Sequence, residues 1–167
     1  MLIGLCIGLV LGLSVGFGIY ANSRPKAAVA THVSAVAPDT QGLWAATNVQ
    51  RQKNGETPLL LDINLDTSAS NKCQDMAAKK YWSHNAPDGT TWQSFIEATA
   101  GLTHYMGENL YYGYSADSAA VVAQWMKSPE HRANILNANF THVGYDVCVA
   151  NNYQGDSKAY IVVQHLT

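Results

Sequence analysis

WMKSPEHRANIL (residues 125–136) is the stretch that most constrains the fold of this chain. Ser128 followed by Pro129 is typical of a helix start, because serine can cap free N–H groups and proline fits the first turn. Three further segments belong with it, SHNAPDG (residues 83–89), GENLYYGY (residues 107–114) and NFTHVGYDVCV (residues 139–149). Together they carry most of the residues from which a cleft with ionisable groups can be built.

The candidate site residues are His84, Glu108 and His131, with Ser128 and Glu130 beside the last of them. Histidines and carboxylates brought together can bind a metal ion, move protons or hold loops in place. Each residue has a purely structural alternative, and for Glu130 this is the favourable interaction of a carboxylate with the first turn of a helix. The residues by themselves leave these alternatives open.

The N-terminal segment is long and apolar. Residues 2–21 contain no charged side chain, and twenty residues at helical rise extend about 30 Å, enough to cross a bilayer core. We therefore predict a signal peptide or transmembrane signal anchor over residues 1–21 and a low-complexity tether over residues 22–41. The domain proper is predicted over residues 42–167, secreted or held at the membrane through the N-terminal segment, on the extracytoplasmic side.

The charge of this domain argues against nucleic acid as a partner. Residues 42–167 hold eight Lys and Arg against eleven Asp and Glu, a formal charge of −3. No cluster of basic residues offsets it, and a basic surface is what nucleic acids and anionic membranes require.

Two cysteines, Cys73 and Cys148, belong to the domain. They either form one disulfide or remain as two buried thiols. The exported location favours the disulfide, because disulfides form and persist in oxidising compartments.

Helical signals come first in the domain and strand signals come last. Asp62 is expected to cap the second helix, and Ser115 and Ser128 the last two. Two segments rich in Val, Tyr and Ile are predicted to form a hairpin at the C-terminus. This order favours an α+β layered domain. The predicted helices span residues 44–53, 62–81, 91–100, 115–128 and 128–137, and the predicted strands residues 142–150 and 158–167.

The ordered set of motifs resembles the CAP superfamily, the group of cysteine-rich secretory proteins, antigen five and plant pathogenesis-related proteins. The resemblance rests on GENL followed by a helix, then Trp-x-x-Ser-Pro-x-His-Arg-x-Asn-Ile-Leu, and covers about residues 42–167. The short bacterial members are the most similar. The resemblance implies a three-layer α-β-α sandwich with a central antiparallel sheet, an extracytoplasmic location and a wide cleft.

In many family members that cleft holds two histidines and two glutamates, which can bind a divalent metal such as zinc. Carried over by position, His84 matches the first histidine and Glu108 the first glutamate. Ser128 stands where animal and plant members have the second glutamate, and Asn139 stands where they have the second histidine. His131 is the expected substitute, so the implied metal ligands are His84, Glu108 and His131, with Ser128 or Glu130 as a fourth group.

Three functions follow as hypotheses. The first is a non-catalytic module that binds a lipid, glycan or protein ligand at the cell envelope. The second is a divalent-metal-dependent hydrolase that uses His84, Glu108 and His131; no dedicated nucleophile emerges for it. The third is a purely structural tethered module. Tyr111, Tyr112 and Tyr114 form either an aromatic binding wall or part of the core, and core packing is the favoured alternative.

Overall fold

The computed structural model describes residues 38–114 and 117–167. Within these residues the chain forms five helices and four strands. In chain order they are α1 (Thr40–Lys53), β1 (Leu60–Leu61), α2 (Ile63–Lys79), α3 (Trp92–Ala100), β2 (Gly107–Gly113), α4 (Ser118–Trp125), α5 (Pro129–Ile135), β3 (His142–Tyr153) and β4 (Asp156–Leu166). The fold is of the mixed α+β type, as predicted.

The sheet is mixed, which corrects the predicted antiparallel sheet. Its strand order is β1-β3-β4-β2. β2 and β3 are both antiparallel to β4, but β1 runs parallel to β3. The N–H of Leu60 donates to Thr141 O at 2.9 Å and the N–H of Asp62 donates to Val143 O at 3.0 Å. Leu60 and Leu61, for which the sequence analysis predicted no strand, therefore form a short edge strand.

Strand β2 was not predicted, although it carries the GENL motif. It pairs with β4 from Gly107 opposite Leu166 to Gly113 opposite Tyr160. The predicted C-terminal hairpin is confirmed and is longer than expected, because β3 continues to Tyr153 before the turn.

The helices agree with their local signals, with small shifts at the ends. The Asp62 side chain accepts from Asn64 N and so caps α2 as predicted. α4 is capped by Asp117, whose side chain accepts from Ala120 N; Ser115, the predicted cap, lies outside the described residues. Ser128 occupies the cap position of α5 but makes no capping hydrogen bond, which corrects its predicted role.

Helices cover both faces of the sheet. Because side chains alternate along a strand, Val162 and Leu166 of β4 pack in one apolar cluster with α1, α4 and α5. Ile161 and Val163 pack in a second cluster with α2 on the other face. β4 is thus buried from both sides.

The Cys73–Cys148 disulfide is present, as predicted, and joins α2 to β3. The two cysteines are 75 residues apart in the chain. The bridge therefore pins the helix that lies beneath the His84 loop to the central strands.

No helix among the described residues has the length and apolar character needed to cross a membrane. The predicted signal peptide or anchor (residues 1–21) and most of the predicted tether lie outside the described residues. The last residues of that tether, from Thr40, are already helical.

We expect the double substitution Cys73→Ser and Cys148→Ser to lower the melting temperature by about 10–20 °C. Closing a loop of this length removes about 4 kcal/mol of unfolded-state entropy in the chain-entropy model, and each kcal/mol shifts the melting point by a few degrees in a domain of this size. Thermal unfolding followed by circular dichroism measures the change. Cys6→Ser is the matched control, and a double variant that melts within about 2 °C of it would contradict the expectation.

Candidate functional site

The loop that carries His84 rests on a buried lysine. Lys72 of α2 is fully buried, and its Nζ donates to Tyr81 Oη and Ser83 O, both at 3.1 Å, and to His84 O. The ammonium also lies 5.4 Å from the centre of the Phe95 ring. Burial lowers the pKa of Lys72, and the nearby charges of Glu108 and Asp75 partly oppose this. Lys72 thus fixes the backbone from which the His84 ring projects.

The sheet register places Glu108 next to a histidine that the sequence analysis did not single out. Glu108 of β2 is the pairing partner of His165 of β4, which in turn faces Gly144 of β3. A side chain at Gly144 would lie 2.1 Å from the carbonyl carbon of Leu65. Glycine therefore lets α2 approach the sheet closely enough for Ser68 to reach His165.

Glu108, His84 and His165 form a His–Glu–His cluster. His84 Nδ1 lies 2.6 Å from Glu108 Oε1, and His165 Nε2 lies 3.0 Å from Glu108 Oε2. Ser68 Oγ contacts the other ring nitrogen of His165 at 2.6 Å. The side chains of Glu108 and His165 are buried, whereas that of His84 is 53% exposed. Both carboxylate oxygens are thus engaged inside the protein.

This geometry assigns the tautomers of both histidines. An ionised carboxylate only accepts hydrogen bonds, so the nitrogens that face Glu108 carry protons. In neutral His84 the lone pair then lies on Nε2, the ring atom that does not contact Glu108. In neutral His165 the Nδ1 lone pair accepts from the Ser68 hydroxyl.

Glu108 remains ionised in spite of its burial. Desolvation by burial would raise its pKa, but hydrogen bonds from His165 and His84 and the charges of His165 and Lys72 bring the pKa below its ordinary value. A buried carboxylate held in this way is stabilised by its partners, and removing one of them leaves an unpaired buried charge.

A buried amide network ties GENL to α5. Asn109 Nδ2 donates to Gln164 Oε1 at 2.7 Å and to His131 O at 3.2 Å. Asn134 Nδ2 donates to Glu108 O at 3.1 Å and to Asn109 Oδ1 at 2.9 Å. The two motifs are therefore hydrogen-bonded to each other, which explains why they occur as a set.

Arg51 holds the far end of α5. It is fully buried in α1, and its guanidinium donates to the carbonyls of Thr57, Ile135, Asn137 and Phe140. The cation thus satisfies carbonyls at the C-terminus of the helix that carries His131, where a positive charge is favourable.

The cleft consists of three neighbouring cavities that share lining residues. A cavity of about 340 Å³ is lined by Trp82, Ser83, His84, Leu110 and His131. His84 also lines a cavity of about 230 Å³ with Glu108 and Asn134. Trp82 and His131 also line a cavity of about 290 Å³ that includes Ser128. The structure thus brings the two predicted histidines, His84 and His131, to one cavity.

His131 is half-buried, and burial lowers its pKa, with a smaller contribution from the charge of His84. Ser128 Oγ donates to Glu130 Oε2 at 3.0 Å. Glu130 is exposed at the start of α5, and its pKa is lowered by hydrogen bonds from its own backbone and from Ser128. Its role as a fourth cleft group stays a prediction.

The metal-ligand prediction also stays a prediction. Among the described residues, one group of three His, Cys, Asp or Glu side chains has all its ligand atoms within 4.8 Å of one another, namely Cys73, Asp146 and Cys148. Two of these are joined in the disulfide. The ligand atoms of His84, Glu108 and His131 do not all lie within 4.8 Å of one another.

Sequence analysis did not identify three residues that hold the site together, His165, Ser68 and Lys72. Residues 158–167 were interpreted only as an apolar strand, and a histidine within such a strand needs a buried partner. The position of His165 within an apolar strand was therefore the sequence feature that could have identified it. Ser68 and Lys72 sit on the buried face of α2, where a polar residue likewise calls for a partner.

We expect Glu108→Gln to lower the free energy of unfolding at pH 7 by about 3 kcal/mol. The amide keeps one acceptor oxygen for one histidine N–H and turns its NH2 group, a donor, toward the other histidine N–H. Since the folded pKa of Glu108 lies below its ordinary value of 4.5, its ionised form stabilises the wild type above that pH. This contribution is lost as the pH falls toward the folded pKa. Thermal melts between about pH 3 and 7 should therefore show a flatter acid limb for the variant. Exposed Glu97→Gln is the control, and parallel curves for Glu108→Gln and the wild type would refute the assignment.

The chain matches known proteins over most of its length. Residues 44–166 match the CAP family, described as the cysteine-rich secretory protein family. The uncharacterized protein YkwD of Bacillus subtilis is 36% identical over 129 residues, which are 74% of this chain and 50% of that protein. The uncharacterized membrane protein YlbC of the same organism is 33% identical over 101 residues, 60% of this chain and 29% of that protein. This chain thus spans half or less of these relatives.

Solved structures share the fold. An extracellular protein containing an SCP domain from Bacillus anthracis superposes with a TM-score of 0.62 at 24% identity, over 76% of this chain and 39% of that one. An outer surface protein from Borrelia burgdorferi superposes with a TM-score of 0.61 at 20% identity, over 74% of this chain and 88% of that one. Motif order, fold and family match agree, and this chain belongs to the CAP, or cysteine-rich secretory protein, family.

Proposed function

We propose that this protein is a non-catalytic, extracytoplasmic binding module whose cleft captures a ligand at the cell envelope. The observation that carries the proposal is the use of both Glu108 oxygens as acceptors for histidine N–H groups. A carboxylate so engaged is not free to act as a general base. Ser68, which completes a serine–histidine–carboxylate sequence, is fully buried and cannot reach a substrate. The cluster orients the His84 ring toward a ligand.

Two observations support an extracytoplasmic location. The Cys73–Cys148 disulfide suits an oxidising compartment. The solved structures that share the fold include an extracellular protein and an outer surface protein. We further propose that residues 1–21 either direct secretion of the protein or anchor it in the membrane.

The binding proposal is tested by sedimentation with isolated Bacillus subtilis cell envelopes. We expect the full chain, purified in mild detergent, to sediment with the envelopes, and the double variant His84→Ala and His131→Ala to bind about tenfold more weakly, since both rings line the cleft. His104→Ala, an exposed histidine outside the lining residues, is the control. No sedimentation, or equal sedimentation of wild type and double variant, would overturn the proposal.

A divalent metal such as zinc is a second candidate, favoured by the imidazoles of His84 and His131 at one cavity. The lone pair assigned to His84 Nε2 is a suitable ligand, and the lowered pKa of His131 keeps that ring neutral at pH 7. Glu108 fits best as the residue that orients His84 through Nδ1, as carboxylates do behind metal-binding histidines. When bound, zinc would supply Lewis acidity to a ligand in the cleft.

Zinc titration of the full chain by calorimetry tests the metal proposal. With two imidazole ligands and one supporting carboxylate we expect a Kd of about 10 µM at pH 7. His84→Ala and His131→Ala should each weaken binding at least about tenfold, and His104→Ala should leave it unchanged. Absence of heat up to about 1 mM zinc would exclude the metal while leaving the envelope experiment to decide on ligand binding.

A further inference from the structure

One end of the cleft has walls that are aromatic and polar. We call it the aromatic subsite. It surrounds the cavity of about 290 Å³ and is lined by Trp82, Tyr112, Gln124, Ser128 and His131 above a floor of Leu110, Tyr111 and Trp125. The Trp82 side chain is 42% exposed and lines this cavity, so part of its indole ring is accessible to a ligand there.

The Trp82 ring is held by other rings. Its centroid lies 5.6 Å from that of Tyr112, which lies 5.5 Å from that of Tyr153. Tyr153 is fully buried, and its hydroxyl donates to Tyr81 O at 2.5 Å. A series of packed rings thus joins Trp82 to the core. The exposed indole is a fixed surface, and binding a ligand on it costs little side-chain entropy.

The cleft carries little charge. Among the described residues, those that line its three cavities include no Lys, Arg or Asp, and Glu108 is engaged with two histidines. An anionic ligand would find no cation to pair with. An aliphatic lipid chain would find polar groups of Gln124, Ser128 and His131 that it cannot satisfy.

A pyranose ring fits these requirements. Its axial C–H groups carry a slight positive charge and pack on the negative face of an indole ring, while its hydroxyls exchange hydrogen bonds with amide, hydroxyl and imidazole groups. Ser128 Oγ already donates to Glu130, so it remains an acceptor for a sugar hydroxyl. The cavity at His84 adjoins the aromatic subsite, since the two share Trp82, Leu110 and His131 as lining residues.

We propose that the aromatic subsite binds an uncharged oligosaccharide, with Trp82 as the stacking surface and Gln124, Ser128 and His131 as hydrogen-bonding groups. The proposal rests on the binding function proposed above and names its ligand class. The neighbouring cavity at His84 would take the next sugar of the same chain.

The test is calorimetric titration of the full chain in a zwitterionic detergent that has no sugar head group. The probes are chitotetraose and cellotetraose, which differ in the acetamido groups, each up to about 5 mM. We expect at least one of them to bind with a Kd of about 0.1–1 mM. Trp82→Ala should weaken binding about tenfold or more, and Trp82→Phe, which keeps a ring, by less than about threefold.

Further variants keep the experiment decisive if Trp82→Ala fails to fold. Gln124→Leu keeps the size of the side chain and should weaken binding about fivefold. Tyr105→Ala, an exposed aromatic residue outside the lining set, should have no effect. Circular dichroism monitors folding of each variant.

The proposal is overturned if neither sugar binds, or if Gln124→Leu, together with Trp82→Ala where that variant folds, binds as the wild type does. If sedimentation with envelopes depends on His84 and His131 but neither sugar binds, the oligosaccharide proposal is wrong and the proposed binding function is retained. Failure of both experiments would remove both.

Discussion

The buried carboxylate of Glu108 is the constraint on which the rest of the structure depends. A carboxylate removed from water must have each oxygen satisfied, and here a histidine N–H satisfies each one. The β2–β4 register places His165 beside it. Helix α2 supplies Ser68 to orient that ring and Lys72 to hold the loop that brings His84. A shift of β2 by one residue would turn Glu108 to the other face of the sheet and separate all of these groups.

The need to satisfy buried polar groups also links the GENL motif to the motif of α5. Strand β2 presents Glu108 on one face and Asn109 on the other, and the amide of Asn109 meets Gln164 of β4 and the backbone of α5. Asn134 then spans from α5 back to Glu108 O. A buried polar network in which every group has a partner makes the arrangement of its elements specific. GENL and the α5 motif are two halves of one hydrogen-bonded structure.

These contacts also shape the function that the cleft can serve. Glu108 and His165 contact each other in the interior, whereas the His84 ring, which also contacts Glu108, is 53% exposed at the cleft. The Cys73–Cys148 bridge joins α2, the helix that carries Ser68 and Lys72, to β3. For the proposed binding function, side chains that are already held in place lower the entropy lost when a ligand binds.

The sequence by itself determined the local features and the family. Asp62 at the start of α2, Pro129 at the start of α5 and the apolar C-terminal hairpin are signals contained within a few residues. The order of four motifs indicated the CAP family and four of the residues that line the cleft, namely His84, Glu108, Ser128 and His131. Only the tertiary structure decided the pairing of β2 with β4, the parallel edge strand β1 and the roles of His165 and Lys72. The partners that stabilise these elements lie far away in the chain: Glu108 and His165 are 57 residues apart. No local pattern of residues records such a contact, because burial and register arise only when the sheet has assembled.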